Sequence, residues 1–185
     1  MKSEFLSGRL LLAMPGMLDT HFERAVIALC IHDADGALGI GLGSVRNDMT
    51  FHDLLRDVGI DPNLSPDAPV HDGGPVETSR GFVLHSEDWG GEGTLSVTPF
   101  GGLSGSMDIL RAIANGRGPS QWLVALGYAG WGAGQLDSEM RGHGWFAANG
   151  KASILYDVPA SDRWAATWQS EGIDPAHLAS RTGNA

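Results

Sequence analysis

The chain has 185 residues, 42% of them hydrophobic, enough to bury a core without disulfides or metal. Its net charge is −10, and lysine occurs only at Lys2 and Lys151; duplex binding depends on neutralising phosphates, so this balance argues against direct contact with DNA. A lone cysteine, Cys30, excludes an intrachain disulfide, and no apolar run reaches the length of a membrane helix.

Residues 10–13 form a short apolar run stopped by Pro15-Gly16 and read as a strand. Residues 25–31 are continuously apolar, which predicts a buried strand. Residues 37–42 follow across Asp33-Ala34-Asp35-Gly36, a hairpin signal with a longer loop. Residues 50–58 predict a helix. Thr50 stands at the cap with Asp53 at the capping-box distance, and Phe51, Leu54, Leu55 and Val58 share a face. Residues 59–69 hold three prolines and two aspartates and read as a loop. Residues 69–72 and 81–85 flank a turn at Gly73-Gly74-Pro75, and residues 94–97 alternate as a half-buried strand does.

A second helix is expected over 106–115, with Met107, Leu110 and Ile113 or Ala114 inward and Gly116 past its end. Residues 122–126 form a strand that feeds the run Gly127-Tyr128-Ala129-Gly130-Trp131-Gly132-Ala133-Gly134-Gln135-Leu136, read as a tight, irregular segment. Residues 135–141 predict a short helix and 153–156 a last strand. Ser161 then caps a helix carrying Trp164 and Trp168, closed by Gly172, and Asp174-Pro175 opens a final helical turn. Mixed helices and strands without strict βαβ alternation predict a single α+β domain over 1–185, mostly antiparallel. The first six residues lack the pattern of a secretory leader, so a soluble cytoplasmic protein is expected.

Several separated blocks resemble one family, in the right order and nearly end to end. They are Ser7-Gly8-Arg9-Leu10-Leu11-Leu12-Ala13-Met14-Pro15 with Met17, Asp19 and Phe22; the hairpin with Gly36-Ala37 and Gly39; Gly73-Gly74-Pro75-Val76 followed by Arg80-Gly81-Phe82-Val83-Leu84-His85; the glycine–aromatic run with Glu139 and Trp145; and Asp157, Pro159, Arg163-Trp164 and Gly172-Ile173-Asp174. On these motifs the chain resembles the AlgH/YqgE family of small bacterial proteins, whose name carries a transcriptional-regulator label. The resemblance implies an α+β pseudo-barrel with a split sheet and flanking helices. The chain departs from the family pattern at Ile31, Gly43 and Asp72, where the family usually carries a glutamate, an asparagine and a bulky apolar residue.

No Walker-type phosphate loop or GxSxG elbow is present, and no metal or cofactor is implied. Cys30-Ile31-His32 admits a thiol nucleophile with a nearby base, but an apolar strand end suits a packed thiol better. Gly73 and Gly74 beside Arg80 and His85 offer backbone N–H groups and a cation to a carboxylate or phosphate. The plainer reading is a tight hairpin with Arg80 paired to an acidic neighbour. Trp131 and Gln135 offer a stacking face and hydrogen bonds to a cleft, or simply pack on the sheet. The expected function is therefore a non-catalytic binding or regulatory protein. Its small anionic ligand or protein partner would use Gly73, Gly74, Arg80, His85, Trp131 and Gln135. The alternative is an enzyme acting on a small anionic metabolite, with His85 as general base and Arg80 as anion clamp.

Overall fold

The first strands are apolar over residues 10–13 and 26–30 because both of their faces are covered there. In this computed structural model, which describes residues 5–16 and 24–182, β1 (Leu10–Ala13) and β2 (Val26–Asp33) lie inside a ten-stranded sheet. Leu10, Leu12, Val26 and Ala28 enter one apolar cluster, while Leu11, Ala13, Ile27 and Leu29 enter another on the opposite face. Met17, Asp19 and Phe22 fall outside the described residues. β3 (Gly36–Gly41) returns antiparallel to β2, as the Asp-Gly signal predicts.

β4 (Val45–Thr50) runs into α1 (Phe51–Asp57). The Asp53 carboxylate accepts the Thr50 amide at 3.0 Å, as the expected capping box requires. Next come β5 (Pro69–Asp72), β6 (Val76–His85), β7 (Leu95–Val97), β8 (Gly101–Ser104) and α2 (Met107–Ala114). β9 (Trp122–Gly132), α3 (Gln135–Arg141), β10 (Trp145–Ala148), α4 (Ala152–Asp157), α5 (Ala160–Ser170) and α6 (Pro175–Thr182) complete the chain. The sheet order is β10-β1-β2-β3-β9-β6-β8-β7, antiparallel along the whole path; β5 adds to β9 in parallel and carries β4. The architecture is α+β, a curled half-barrel of strands with helices packed against it.

β9 is the axis of the curl. Val124 and Leu126 join the cluster under α1 and α2; Ala125 and Tyr128 pack into the central core; Ala129 and Trp131 reach the cluster beneath α3. A regular strand alternates between two faces only. Gly127, at φ +79°, breaks the alternation, and the β6 register slips at the same place. The glycine run expected to be irregular is thus largely strand. Its glycines let one strand serve three apolar clusters.

Three other expectations are corrected. Residues 153–156 are helical, inside α4, with Ile154 and Leu155 buried. Four apolar-rich residues are too few for periodicity to decide. In α2 the inward residues are Ile109, Ile113 and Ala114, and Met107 is 36% exposed. The residue before α5 is Pro159, with Ser161 already inside the first turn.

Candidate functional site

β5 and β6 are consecutive in sequence yet do not pair with each other. They lie on opposite edges of β9, so the Gly73-Gly74-Pro75 link is a crossing over the β9 backbone rather than a hairpin turn. The crossing is close. A Cβ on Gly73 would stand 2.1 Å from the Gly127 carbonyl oxygen, one on Gly74 would stand 2.2 Å from the Tyr128 carbonyl carbon, and one on Gly127 would stand 2.4 Å from the Gly74 oxygen. Backbone can approach backbone this closely only where side chains are absent. The Gly41 amide donates to the Gly73 carbonyl at 2.8 Å, the Asp72 amide to the Ser44 carbonyl at 3.1 Å, and the Gly73 amide to Leu126 at 2.9 Å. Two glycine motifs that are distant in sequence are therefore one structural joint.

The joint forms one wall of a groove of about 390 Å³. Val26, Ile27, Gly41 and Gly43 line it with apolar and backbone surface, and Arg24, Ser44, Asp72 and Thr78 bring polar groups. Arg24, at φ +55°, holds its guanidinium 5.5 Å from the centre of the Trp164 ring. Arg46 is bound to Asp48 through two hydrogen bonds of 2.7 and 3.0 Å and also feels the Asp72 charge. The groove thus brings a cation and a carboxylate to a surface otherwise lined by apolar and backbone groups, as small-ligand sites do.

Of the six residues singled out in the sequence, Gly73 and Gly74 line this groove. Arg80 is exposed, paired with Glu77 at 3.3 Å and stacked on Phe82 at 5.1 Å. His85 is wholly buried: its Nδ1 faces the Ser86 carbonyl at 2.8 Å and its Nε2 faces the Ser104 hydroxyl at 2.8 Å. Trp131 is in the cluster beneath α3, edge-on to Trp145. Gln135 accepts the Gly132 amide through Oε1 at 3.0 Å, closing its own turn. Asp72 and Gly43, noticed in the sequence only as departures from a family pattern, both line the groove. Arg24 and Ser44 carried no signal, because both are isolated polar residues in loops and only the tertiary fold brings them together.

Cys30 and His32 do not form a dyad. Burial pushes the Cys30 thiol up to about 12, and its Sγ lies 3.5 Å from the Ala28 carbonyl. His32 instead accepts the Leu6 amide at Nδ1 (2.9 Å), with Nε2 3.4 Å from Asp137.

Behind the groove, His71 and Arg163 form a buried pair with Nε2 and Nη1 2.7 Å apart. Arg163 also donates to the Leu42 carbonyl, between the two groove glycines 41 and 43, and to the Leu155 carbonyl, each at 2.8 Å. The His71 Nδ1 proton goes to the Val124 carbonyl at 2.9 Å, which leaves Nε2 as the acceptor for Arg163. Burial, and then the Arg163 charge, push His71 down from 6.5 to about 4. Both states hold neutral His71 above pH 6.5. Between 6.5 and 4 the unfolded chain binds this proton and the folded chain does not, so stability falls as pH falls, and the loss levels off below 4. The expected loss is about 3 kcal/mol across that window. Urea unfolding at pH 7 and pH 4 checks it. A His71→Gln variant should lose about that much less than the wild type on acidification, and parallel losses would refute the assignment.

The profile of the AlgH-like family matches residues 10–176. A UPF0301 protein of Novosphingobium aromaticivorans is 64% identical over 184 residues, covering 100% of this chain and 99% of its own length. Another, from Rhodospirillum rubrum, is 44% identical over 182 residues, covering 98% and 95%. The solution structure of AlgH from Pseudomonas aeruginosa superposes with a TM-score of 0.78 at 34% identity, covering 96% of each chain. A crystal structure from Corynebacterium diphtheriae shares the fold, with a TM-score of 0.74 at 20% identity over 97% and 94% of the two chains. With a profile match over most of its length and relatives of this identity, the chain is a member of the AlgH-like family.

Proposed function

We propose that this protein is a cytoplasmic ligand-binding protein, and that the groove over Gly41, Gly43 and the Gly73-Gly74 crossing is its binding site, with an output that is regulatory rather than catalytic. The observation that carries this reading is a groove of about 390 Å³ in which Arg24 and Asp72 stand on close-packed glycine backbone. Such a frame costs little ordering on binding, because the backbone already holds its conformation. The ligand that fits has an anionic group for Arg24 and an amine or hydroxyl donor for Asp72. The net charge of −10 opposes direct contact with DNA, so a regulatory effect would pass through the ligand or a protein partner. Among the described residues no helix is long and apolar enough to cross a membrane. The enzyme alternative needs Arg80 and His85 in one cleft. Arg80 shares a face with Phe82 on β6, whereas His85 lies on the opposite face over β8.

A thermal-shift screen of amino acids, dipeptides and hydroxy acids tests the proposal. A ligand at about 100 times its Kd should stabilise the protein by about 2.7 kcal/mol. The expected result is a shift that Arg24→Ala and Asp72→Leu each abolish. A shift that both variants retain would place the ligand elsewhere.

A further inference from the structure

We infer that Ser104 is an activated nucleophile, with His85 as its general base, in a second site able to cleave small aliphatic esters. This site is independent of the groove and lies on the face of the sheet that packs against α1 and α2. The hydrogen bonds fix every proton. The Ser86 carbonyl can only accept, so neutral His85 carries its hydrogen on Nδ1, 2.8 Å away, and presents Nε2 as an acceptor. The Ser104 hydroxyl, 2.8 Å from Nε2, must then donate to it. Ser104 Oγ in turn accepts from the Thr94 hydroxyl at 2.8 Å, and Thr94 accepts the Gly91 amide at 3.1 Å. This one-directional chain orients a serine hydroxyl at a histidine whose tautomer is set by a backbone carbonyl, which is what an activated serine requires.

The position of the pair supports more than a structural role. Ser104 ends β8, and α2 begins three residues later at Met107, so the hydroxyl stands at a strand-to-helix junction. The Ser106 side chain makes no capping bond, so no cap satisfies the first-turn amides of α2, and these are donors of the kind that stabilise an oxyanion. Ser104 also lines a cavity of about 200 Å³ whose other walls include Leu54, Val58, Phe82 and Leu110. At roughly 30 Å³ per water-sized atom, it admits an acyl group of about six non-hydrogen atoms.

The chemistry balances with water as co-reactant. Ser104 Oγ adds to the ester carbonyl carbon as its proton moves to His85 Nε2. The C–O bond to the alcohol breaks, and the alkoxide takes that proton. Water, deprotonated by the same imidazole, then cleaves the acyl–Ser104 ester and returns the serine hydroxyl and a carboxylic acid.

The test is covalent labelling of the full chain with diethyl fluorophosphate, read by peptide mass spectrometry, alongside release of p-nitrophenol from its acetate ester. The expected result is one phosphorylated peptide, carrying the modification on Ser104. Labelling and ester cleavage are absent in Ser104→Ala, and labelling is at least 100-fold slower in folded His85→Gln. Wild-type protein that stays unlabelled after prolonged exposure, or a label that Ser104→Ala retains, would overturn the inference whatever the fate of the His85 variant.

Discussion

Replacing Gly74 with alanine is expected to lower stability by about 3 to 5 kcal/mol, the largest loss for any single methyl addition considered for this fold. Two effects combine. The added Cβ would stand 2.2 Å from the Tyr128 carbonyl carbon, where backbone, not a yielding side chain, is in the way. Gly74 also sits at φ +146°, a conformation that L side chains rarely adopt. With a urea m-value of about 2 kcal/mol/M, the midpoint should fall by about 1.5 M or more. Gly59→Ala is the control: it too has a positive φ, +80°, but nothing lies within 4 Å of its Cβ position. It should therefore show only the backbone strain, about 1 kcal/mol. Equal losses in the two variants would show that the β5–β6 crossing is not tightly packed against β9.

Arg163→Met should cost about 4 kcal/mol. The guanidinium is buried and serves the Leu42 carbonyl, the Leu155 carbonyl and His71 Nε2 at once. Methionine matches much of the volume but leaves three buried acceptors without a donor, and each orphaned group costs about 1 to 3 kcal/mol. Burial has already pushed the Arg163 guanidinium down to about 10, so the fold tolerates this cation at a cost and gains three anchored acceptors in return. Chemical denaturation at pH 7 measures the loss. The same variant removes the charge that helps depress His71, so its acid-dependent destabilisation should shrink as well. A loss below about 1 kcal/mol would show that these carbonyls find other partners.

Much of the strand framework was legible in the residues because burial on two faces leaves a plain mark. The apolar runs that became β1 and β2 are examples, as are the Thr50–Asp53 cap and the Gly116 stop after α2. β8 and β10 left little mark. Gly101-Gly102-Leu103-Ser104 has almost no β-propensity and is a strand because β6 and β7 pair with both of its edges. The helix at residues 152–157 was hidden by an apolar run too short to show a period. The glycines told of close approach but not of what approaches, since a crossing between Gly73-Gly74 and Gly127 is a tertiary event. The groove was half visible for the same reason: Gly43 and Asp72 stood out, while Arg24 and Ser44 join them only through the fold. Arg80, by contrast, pairs with Glu77, the acidic neighbour the sequence offered, although on a regular strand i and i+3 face opposite ways; Glu77, at φ +44°, breaks the strand and lets them meet.

Amide chemical shifts test the binding groove most directly. The uniformly 15N-labelled protein would be titrated with a small carboxylate bearing an amine, such as a dipeptide that raises the thermal midpoint. The expected result is a saturable shift of the Gly43, Ser44, Asp72 and Gly74 amides together, absent in Asp72→Leu, with the amides of α3 and β10 unmoved. Saturable shifts confined to other parts of the sheet, or unchanged in Asp72→Leu, would contradict the assignment of this groove as the ligand site.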